Sequence, residues 1–179
     1  MQKKLILDAN LLDITISRLC QQLIENHGTF AYSVILGLQP RGIYLAEIIQ
    51  QRLFELCRKK VPMGYLDISF YRDDFRRREI GKVSELRIPF SLENKRVILI
   101  DDVLFTGRTV RAALDAMLAF GRPAKVELLV LIDRRYNRDL PIAPDYVGKT
   151  VNTVASQKVL VELKAQGSSQ NKIWLINNP

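Results

Sequence analysis

Cysteine is nearly absent from this chain, with only Cys20 and Cys57 among 179 residues. Both fall in helix-like stretches without framework spacing, which excludes a disulfide-stapled scaffold and leads us to expect a reduced, cytoplasmic protein. Long apolar runs are missing as well. None approaches the roughly eighteen residues a membrane span requires, and Met1-Gln2-Lys3-Lys4 leads into only a short apolar pair, so neither a membrane segment nor a secretory leader is expected. No repeat, low-complexity tract or linker divides the sequence, and its length suits one domain, 1–179, with an ordinary core. Acids are the scarcer charge, 19 against 27 lysines and arginines, giving a formal net charge of +8. That surplus suits a polyanionic ligand such as a nucleotide, a pyrophosphate or RNA, without choosing among them.

What is present alternates between two periods. Leu12, Ile16, Leu19, Cys20 and Leu23 recur at helical spacing between Asp8 and Asn26, with Arg18, Gln21, Gln22 and Glu25 on another face, and Asp8 or Asn10 can cap this helix. "YSVILGL" (32–38) reads as a buried strand, "QPRG" as a tight loop, and Leu45, Ile48, Ile49, Leu53 and Leu56 return to helical spacing. "MGYLDISFY" (63–71) alternates like a strand. The charged stretch that follows has no core-forming pattern and is expected to be a mobile loop, about 72–86. "RVILI" (96–100) and "KVELLVLID" (125–133) have the composition of strands covered on both faces, separated by a helix with Val110, Ala113, Leu114, Met117 and Leu118 on one side and stopped by Gly121 and Pro123. Strands and helices in this alternation imply βαβ units and a parallel sheet. "VLVEL" (159–163) and "KIWLI" (172–176) form an expected closing hairpin.

The chemistry concentrates in "VILIDDVLFTGRT" (97–109). Parallel α/β sheets bind ligands beyond the carboxyl ends of their strands, where Asp101 and Asp102 fall. Thr106-Gly107-Arg108-Thr109 then opens a helix. Unpaired N–H groups, a partial positive charge, a glycine permitting close backbone approach and two hydroxyls together make a monophosphate cradle. The carboxylates could hold the vicinal hydroxyls of a ribose carrying that phosphate. A nucleotide-hydrolysing P-loop is excluded: the nearest candidate, Gly148-Lys149-Thr150, has Ala143 where the motif needs glycine, and no clear helix follows.

Apolar strand, Asp-Asp and Thr-Gly-Arg-Thr resemble the phosphoribosyl-pyrophosphate (PRPP) signature of type I phosphoribosyltransferases. With "RGIYLAE", "DISFYRDD", "GRPAKVELLVLIDR" and "LPIAPDYVGK" in order along nearly the whole chain, the sequence resembles the bifunctional pyrimidine-operon regulator and uracil phosphoribosyltransferase family. The resemblance implies an α/β fold, a twisted parallel sheet flanked by helices with a small hood, and a homodimer or larger homo-oligomer. The implied reaction is uracil plus PRPP giving UMP and pyrophosphate, with Mg²⁺ held by Asp101 and Asp102, through water or directly. It implies a PRPP site from Asp101, Asp102, Val103, Leu104, Phe105, Thr106, Gly107, Arg108 and Thr109. Pyrophosphate would meet Pro40, Arg41, Gly42 and Arg72, the last a catalytic candidate beside the aspartates, and the base would meet Arg134, Tyr146 and Val147. Gln39–Pro40 is expected to be cis, the alternative being a trans proline that starts the helix.

Three readings stay open: an enzyme making UMP, an RNA-binding nucleotide sensor with little catalysis, and a purine-using transferase. Phe105 weighs against the last, because purine-using relatives commonly carry an acid just before Thr-Gly. Binding to pyrimidine-operon leader RNA is implied through a basic face including Arg18, Arg138 and Lys149. Ser17-Arg18-Leu19-Cys20-Gln21 departs from the Thr-Arg-x-x-His pattern of RNA-binding members, and Ala143 stands where they have arginine.

Overall fold

The computed structural model describes residues 2–68 and 88–177. Its elements in chain order are β1 (Gln2–Leu7), α1 (Ala9–His27), β2 (Ser33–Leu38), α2 (Gly42–Cys57), β3 (Met63–Leu66), β4 (Arg96–Leu104), α3 (Arg108–Met117), β5 (Lys125–Arg135), β6 (Tyr146–Asn152), β7 (Gln157–Glu162) and β8 (Lys172–Asn177). Five strands form a sheet ordered β3-β2-β4-β5-β6, parallel throughout. The expected α/β class is therefore observed.

Every residue of β2 and the stretch Glu127–Arg134 of β5 is buried, because helices cover both faces of the sheet. Leu12, Ile16, Leu19, Leu45, Ile49 and Leu53 of α1 and α2 pack with Ile35, Ile98 and Leu129 on one face; Val110, Ala113 and Met117 of α3 pack with Leu36, Leu99 and Val130 on the other. Burying a leucine or isoleucine of this kind is worth about 1.5–3 kcal/mol. Of the two expected caps for α1, Asp8 is the one used: its side chain accepts from the Leu11 N–H at 2.8 Å.

The closing hairpin forms as β7 and β8, and it gains a third strand, because β1 pairs antiparallel with β8. This three-stranded sheet is the hood. Its Leu7, Val161 and Ile173 join the α1 and α2 side of the core. Two strands, β1 and β6, were not foreseen. β4 also runs further than expected, through both aspartates to Leu104. The anticipated loop at 72–86 and residue Arg72 lie outside the described residues.

Candidate functional site

The site lies at the carboxyl ends of β2, β4 and β5. On β4, Asp101 and Asp102 are 8% and 6% exposed. Asp101 Oδ1 accepts the Asp102 N–H at 2.9 Å. Burial pushes the Asp101 carboxyl well above the ordinary carboxylate range, and the neighbouring Asp102 charge adds to the shift. Burial also raises Asp102, against which the Arg41 guanidinium acts. Arg41 Nε stands 3.0 Å from Asp102 Oδ2, an ion contact. Its N–H is not aligned for a hydrogen bond, so this buried oxygen has no hydrogen-bond partner. An oxygen left in that condition is an acceptor in want of a donor.

The turn after β2 presses on this pair. Gln39–Pro40 is cis, and the Gln39 N–H is tied to the Leu66 carbonyl of β3 at 3.0 Å. A Cβ at Gly42 would stand 2.5 Å from the Ile100 carbonyl oxygen and 3.0 Å from Asp101 Cα, so only glycine admits α2 this close to β4. Arg41, Gly42 and the aspartates thus share one wall.

Val103 and Leu104 end β4 with their side chains in the two core layers, Val103 on the α1 and α2 side and Leu104 on the α3 side. The loop then turns at Gly107 (φ +92°) into α3, and no side chain caps that helix. The Arg108 N–H reaches back to the Thr106 hydroxyl at 3.4 Å, and the rest of the first turn, with half-buried Thr106 and Thr109, is the candidate anion cradle. A strap from the loop after β5 holds the turn in place. The Asp139 and Leu140 N–H groups donate to the Thr106 carbonyl at 3.0 and 3.2 Å. Arg138 donates to the Phe105 carbonyl and to Asp133 Oδ1, and Arg108 Nε meets Asp139 Oδ2 at 3.1 Å.

Beyond the cradle, the Arg134 guanidinium lies 3.8 Å over the Phe105 ring centroid. Phe105 is 38% exposed and Arg134 only 5%. Arg134 Nε donates to Thr153 Oγ1 at 3.0 Å and its terminal nitrogen to the Gln157 carbonyl at 2.8 Å. Burial lowers its pKa, which is the cost of keeping a charge there. Asn137 fixes Thr153 from the other side, donating to its carbonyl at 2.9 Å and to its hydroxyl at 3.0 Å.

A scan of known families matches the phosphoribosyl transferase domain over residues 4–166. The chain belongs to this family. It is 46% identical over 175 residues, 97% of both chains, to the Bifunctional protein PyrR of Actinobacillus pleuropneumoniae, and 43% identical over 164 residues, 92% of both, to the Bifunctional protein pyrR of Enterococcus faecalis. Among solved structures, the hypoxanthine phosphoribosyltransferase of Trypanosoma cruzi superposes with a TM-score of 0.74 at 16% identity, covering 98% of this chain and 97% of that one. That of Staphylococcus aureus gives 0.72 at 20% identity, covering 95% and 90%. At these identities the two structures carry the fold alone. The type I phosphoribosyltransferase architecture read from the sequence is thereby established.

Within the phosphoribosyltransferase fold, two of the three expected base residues lie at the start of β6 and not at the carboxyl edge of the sheet. Tyr146 opens β6 opposite Leu129 and is 3% exposed. Its hydroxyl accepts from Asn26 at 3.0 Å and donates to Glu127 Oε1 at 3.2 Å, which holds the ring in the core and away from any base. Val147 packs against the α3 side of the core, and its carbonyl accepts from Arg18 at 3.3 Å. Arg134 does stand at the carboxyl edge, joined by Thr153 just past the end of β6 and by Asn137 in the loop after β5, two residues that carry no sequence signal because only the fold brings them together. Of the expected RNA residues, Arg18 reaches the carbonyls of Val147 and Gly148, Lys149 the carbonyl of Ile6 at 3.4 Å, and Arg138 the strap described above. Arg18 and Lys149 line the β6 edge of the sheet, whereas Arg138 faces the cradle loop. Among the described residues, no helix is long and apolar enough to cross a membrane.

Proposed function

We propose that the protein transfers the 5-phosphoribosyl group of PRPP to uracil, releasing pyrophosphate and forming UMP. The bond from ribose C1 to pyrophosphate breaks, a bond from C1 to uracil N1 forms, and the N1 proton leaves. The observation that carries the pyrimidine reading is the floor beyond the cradle: a neutral ring, Phe105, backed by the Arg134 guanidinium. A neutral ring there offers a planar base a face to stack on, whereas the imidazole edge of a purine finds no carboxylate at this position. The 5-phosphate fits the Thr106 to Thr109 cradle, and the ribose hydroxyls fit the unpartnered oxygen of Asp102. As the pyrophosphate bond weakens, C1 gains positive charge, and a dry carboxylate pair beside it favours that state over the ground state.

Two buried aspartates with one unfilled oxygen also suit Mg²⁺. Among the described residues no third ligating side chain joins them, which fits an ion that keeps its waters and takes substrate oxygens. Bound with PRPP, Mg²⁺ would supply charge neutralisation to the leaving pyrophosphate. Arg41 and Gly42 present backbone to the same region, and Arg72 is proposed as a further cation for it.

Labelled uracil with PRPP and Mg²⁺, against hypoxanthine as the competing base, tests the reading. UMP formation at micromolar enzyme is expected; no UMP, or a preference for hypoxanthine, would sink it. A second activity is also proposed, because the relatives quoted above are named bifunctional and the chain carries a net +8: salt-sensitive binding of pyrimidine-operon leader RNA. A leader hairpin should shift in a gel at lower protein concentration than its scrambled counterpart, and equal affinities would remove this activity while leaving the transferase.

A further inference from the structure

The hood strand β7 is tied to the site at two points. At its start, the Gln157 carbonyl accepts from Arg134 at 2.8 Å. Four residues on, the Val161 carbonyl accepts from an Arg41 terminal nitrogen at 2.8 Å, while Arg41 Nε lies 3.0 Å from Asp102 Oδ2. One guanidinium therefore spans three segments: the turn after β2 that carries it, the acidic strand β4, and the hood.

These two Arg41 contacts differ in kind. Toward Val161 the geometry is that of a hydrogen bond, to a residue 2% exposed and paired with Ile173 of β8. Toward Asp102 it is charge without alignment, leaving Oδ2 as a buried acceptor with no donor. An arriving hydroxyl aimed along that lone pair would offer what Arg41 does not. The Arg41 side chain is 44% exposed and so has room to turn away.

We propose that Arg41 is a positioning residue that fastens the hood to the acidic pair in the ligand-free protein, and that PRPP releases it by claiming Asp102. Released, the guanidinium turns toward the pyrophosphate beside its own loop, and of the two side-chain ties between β7 and the site only Arg134 remains, so the hood, still paired through β8, can adjust over the base. The hood's mobility is thereby set by whether the ribose subsite is filled. This inference rests on the PRPP reading above; the tether itself does not.

Backbone hydrogen exchange over residues 157–163 reads the tether directly. Losing one charge-assisted bond should speed local opening by about tenfold to a hundredfold. In the free protein Arg41→Gln should show that increase. Arg41→Lys, whose single ammonium cannot serve both partners, should show most of it, and Asp102→Asn, with Arg41 intact, part of it. On adding PRPP with Mg²⁺, exchange in the unaltered protein should rise toward the Arg41→Gln level while that variant stays unchanged. Kinetically, Arg41→Gln should alter KM for uracil as well as for PRPP, a coupling that simple loss of a surface charge would not produce. Exchange in both free Arg41 variants equal to that of the unaltered protein overturns the tether. Calorimetric binding of PRPP without faster exchange overturns the release. If PRPP does not bind at all, the functional reading fails and the release with it, while the free-protein comparison still decides the tether.

Discussion

Two buried polar clusters sit at opposite ends of the same parallel sheet, and they differ in one respect. At the amino end, His27 Nδ1 shares a hydrogen bond with Ser33 Oγ at 2.8 Å, and His27 Nε2 lies 3.2 Å from Glu127 Oε2. Glu127 also meets Lys125 at 3.1 Å, Arg96 at 3.3 Å and Tyr146 at 3.2 Å, and Asn26 closes the ring onto Tyr146. None of these buried side-chain atoms is left without a partner. At the carboxyl end, Asp101 and Asp102 hold one hydrogen bond between them, and Asp102 Oδ2 has none. A polar cluster that satisfies itself stabilises the fold and has nothing left to offer a ligand; one left incomplete costs stability and marks where a ligand completes it. The serine, histidine and glutamate at the amino end resemble a hydrolytic triad by composition, yet Ser33 is only 3% exposed, where a nucleophile has to meet its substrate.

The sharpest way to break this contrast is Asp102→Asn. It should lower kcat by about 10² to 10³, more than it raises KM for PRPP, because the carboxylate acts on charge that develops only in the transition state. Thermal stability should hold or rise, since a buried, poorly paired charge is removed. A loss confined to KM would make the aspartate a ground-state binder. The mirror substitution, Glu127→Gln, should leave kcat within about twofold and cost roughly 1–3 kcal/mol of stability, or about 5 °C in Tm. A large kcat effect would show that the two ends are not separate.

The pH dependence of stability follows from the amino-end cluster. Burial, with help from the Arg96 charge, holds His27 below its ordinary value of 6.5. Below that pH the unfolded chain binds a proton that the folded one resists. Stability is therefore full above about pH 6.5 and declines as pH falls toward the lowered folded value. Despite the burial that opposes it, Glu127 is held below 4.5 by Lys125 and its other cationic neighbours, so its contribution is present above that pH and fades beneath it. Urea titrations at pH 7.5 and 5.5 should show lower stability at the acid value, and His27→Asn should flatten that difference; an unchanged slope would move the titration to another group. The smallest effect is expected from Tyr146→Phe: about 1 kcal/mol of stability and no change in KM for uracil. A raised KM would return Tyr146 to the base site.

The two ends were unequally legible in the sequence. Residues 101–109 stood out because strand end, glycine turn and helix start are contiguous, so local pattern alone marks the candidate site. The side-chain role of Arg41 and the places of Thr153 and Asn137 depend on contacts between distant segments. β6 escaped notice because its burial is irregular, with Lys149 and Thr150 interrupting the apolar residues, and an edge strand needs no two-sided apolar run. With β6 unrecognised, the expected base residues fell on its first positions, Tyr146 and Val147, at the amino end of the sheet, whereas the proposed base site lies past its last residue. β1 was hidden because Gln2, Lys3 and Lys4 look like a solvated terminus until β8 is beside them.

β5 joins the two ends. Glu127 stands near its start and Asp133 and Arg134 near its finish, with Leu128 to Ile132 wholly apolar between them. At about 3.3 Å per residue, that spacer sets Asp133 and Arg134 roughly 20 Å from Glu127, beyond the 7–10 Å or so within which substitutions couple, while Asp101, paired with Val130, stands about 10 Å along the sheet from it. The strand thus works as an insulator between two inheritable traits. A lineage could retune acid tolerance at one end and base preference at the other by independent single steps, each seen by selection without the cost of the other.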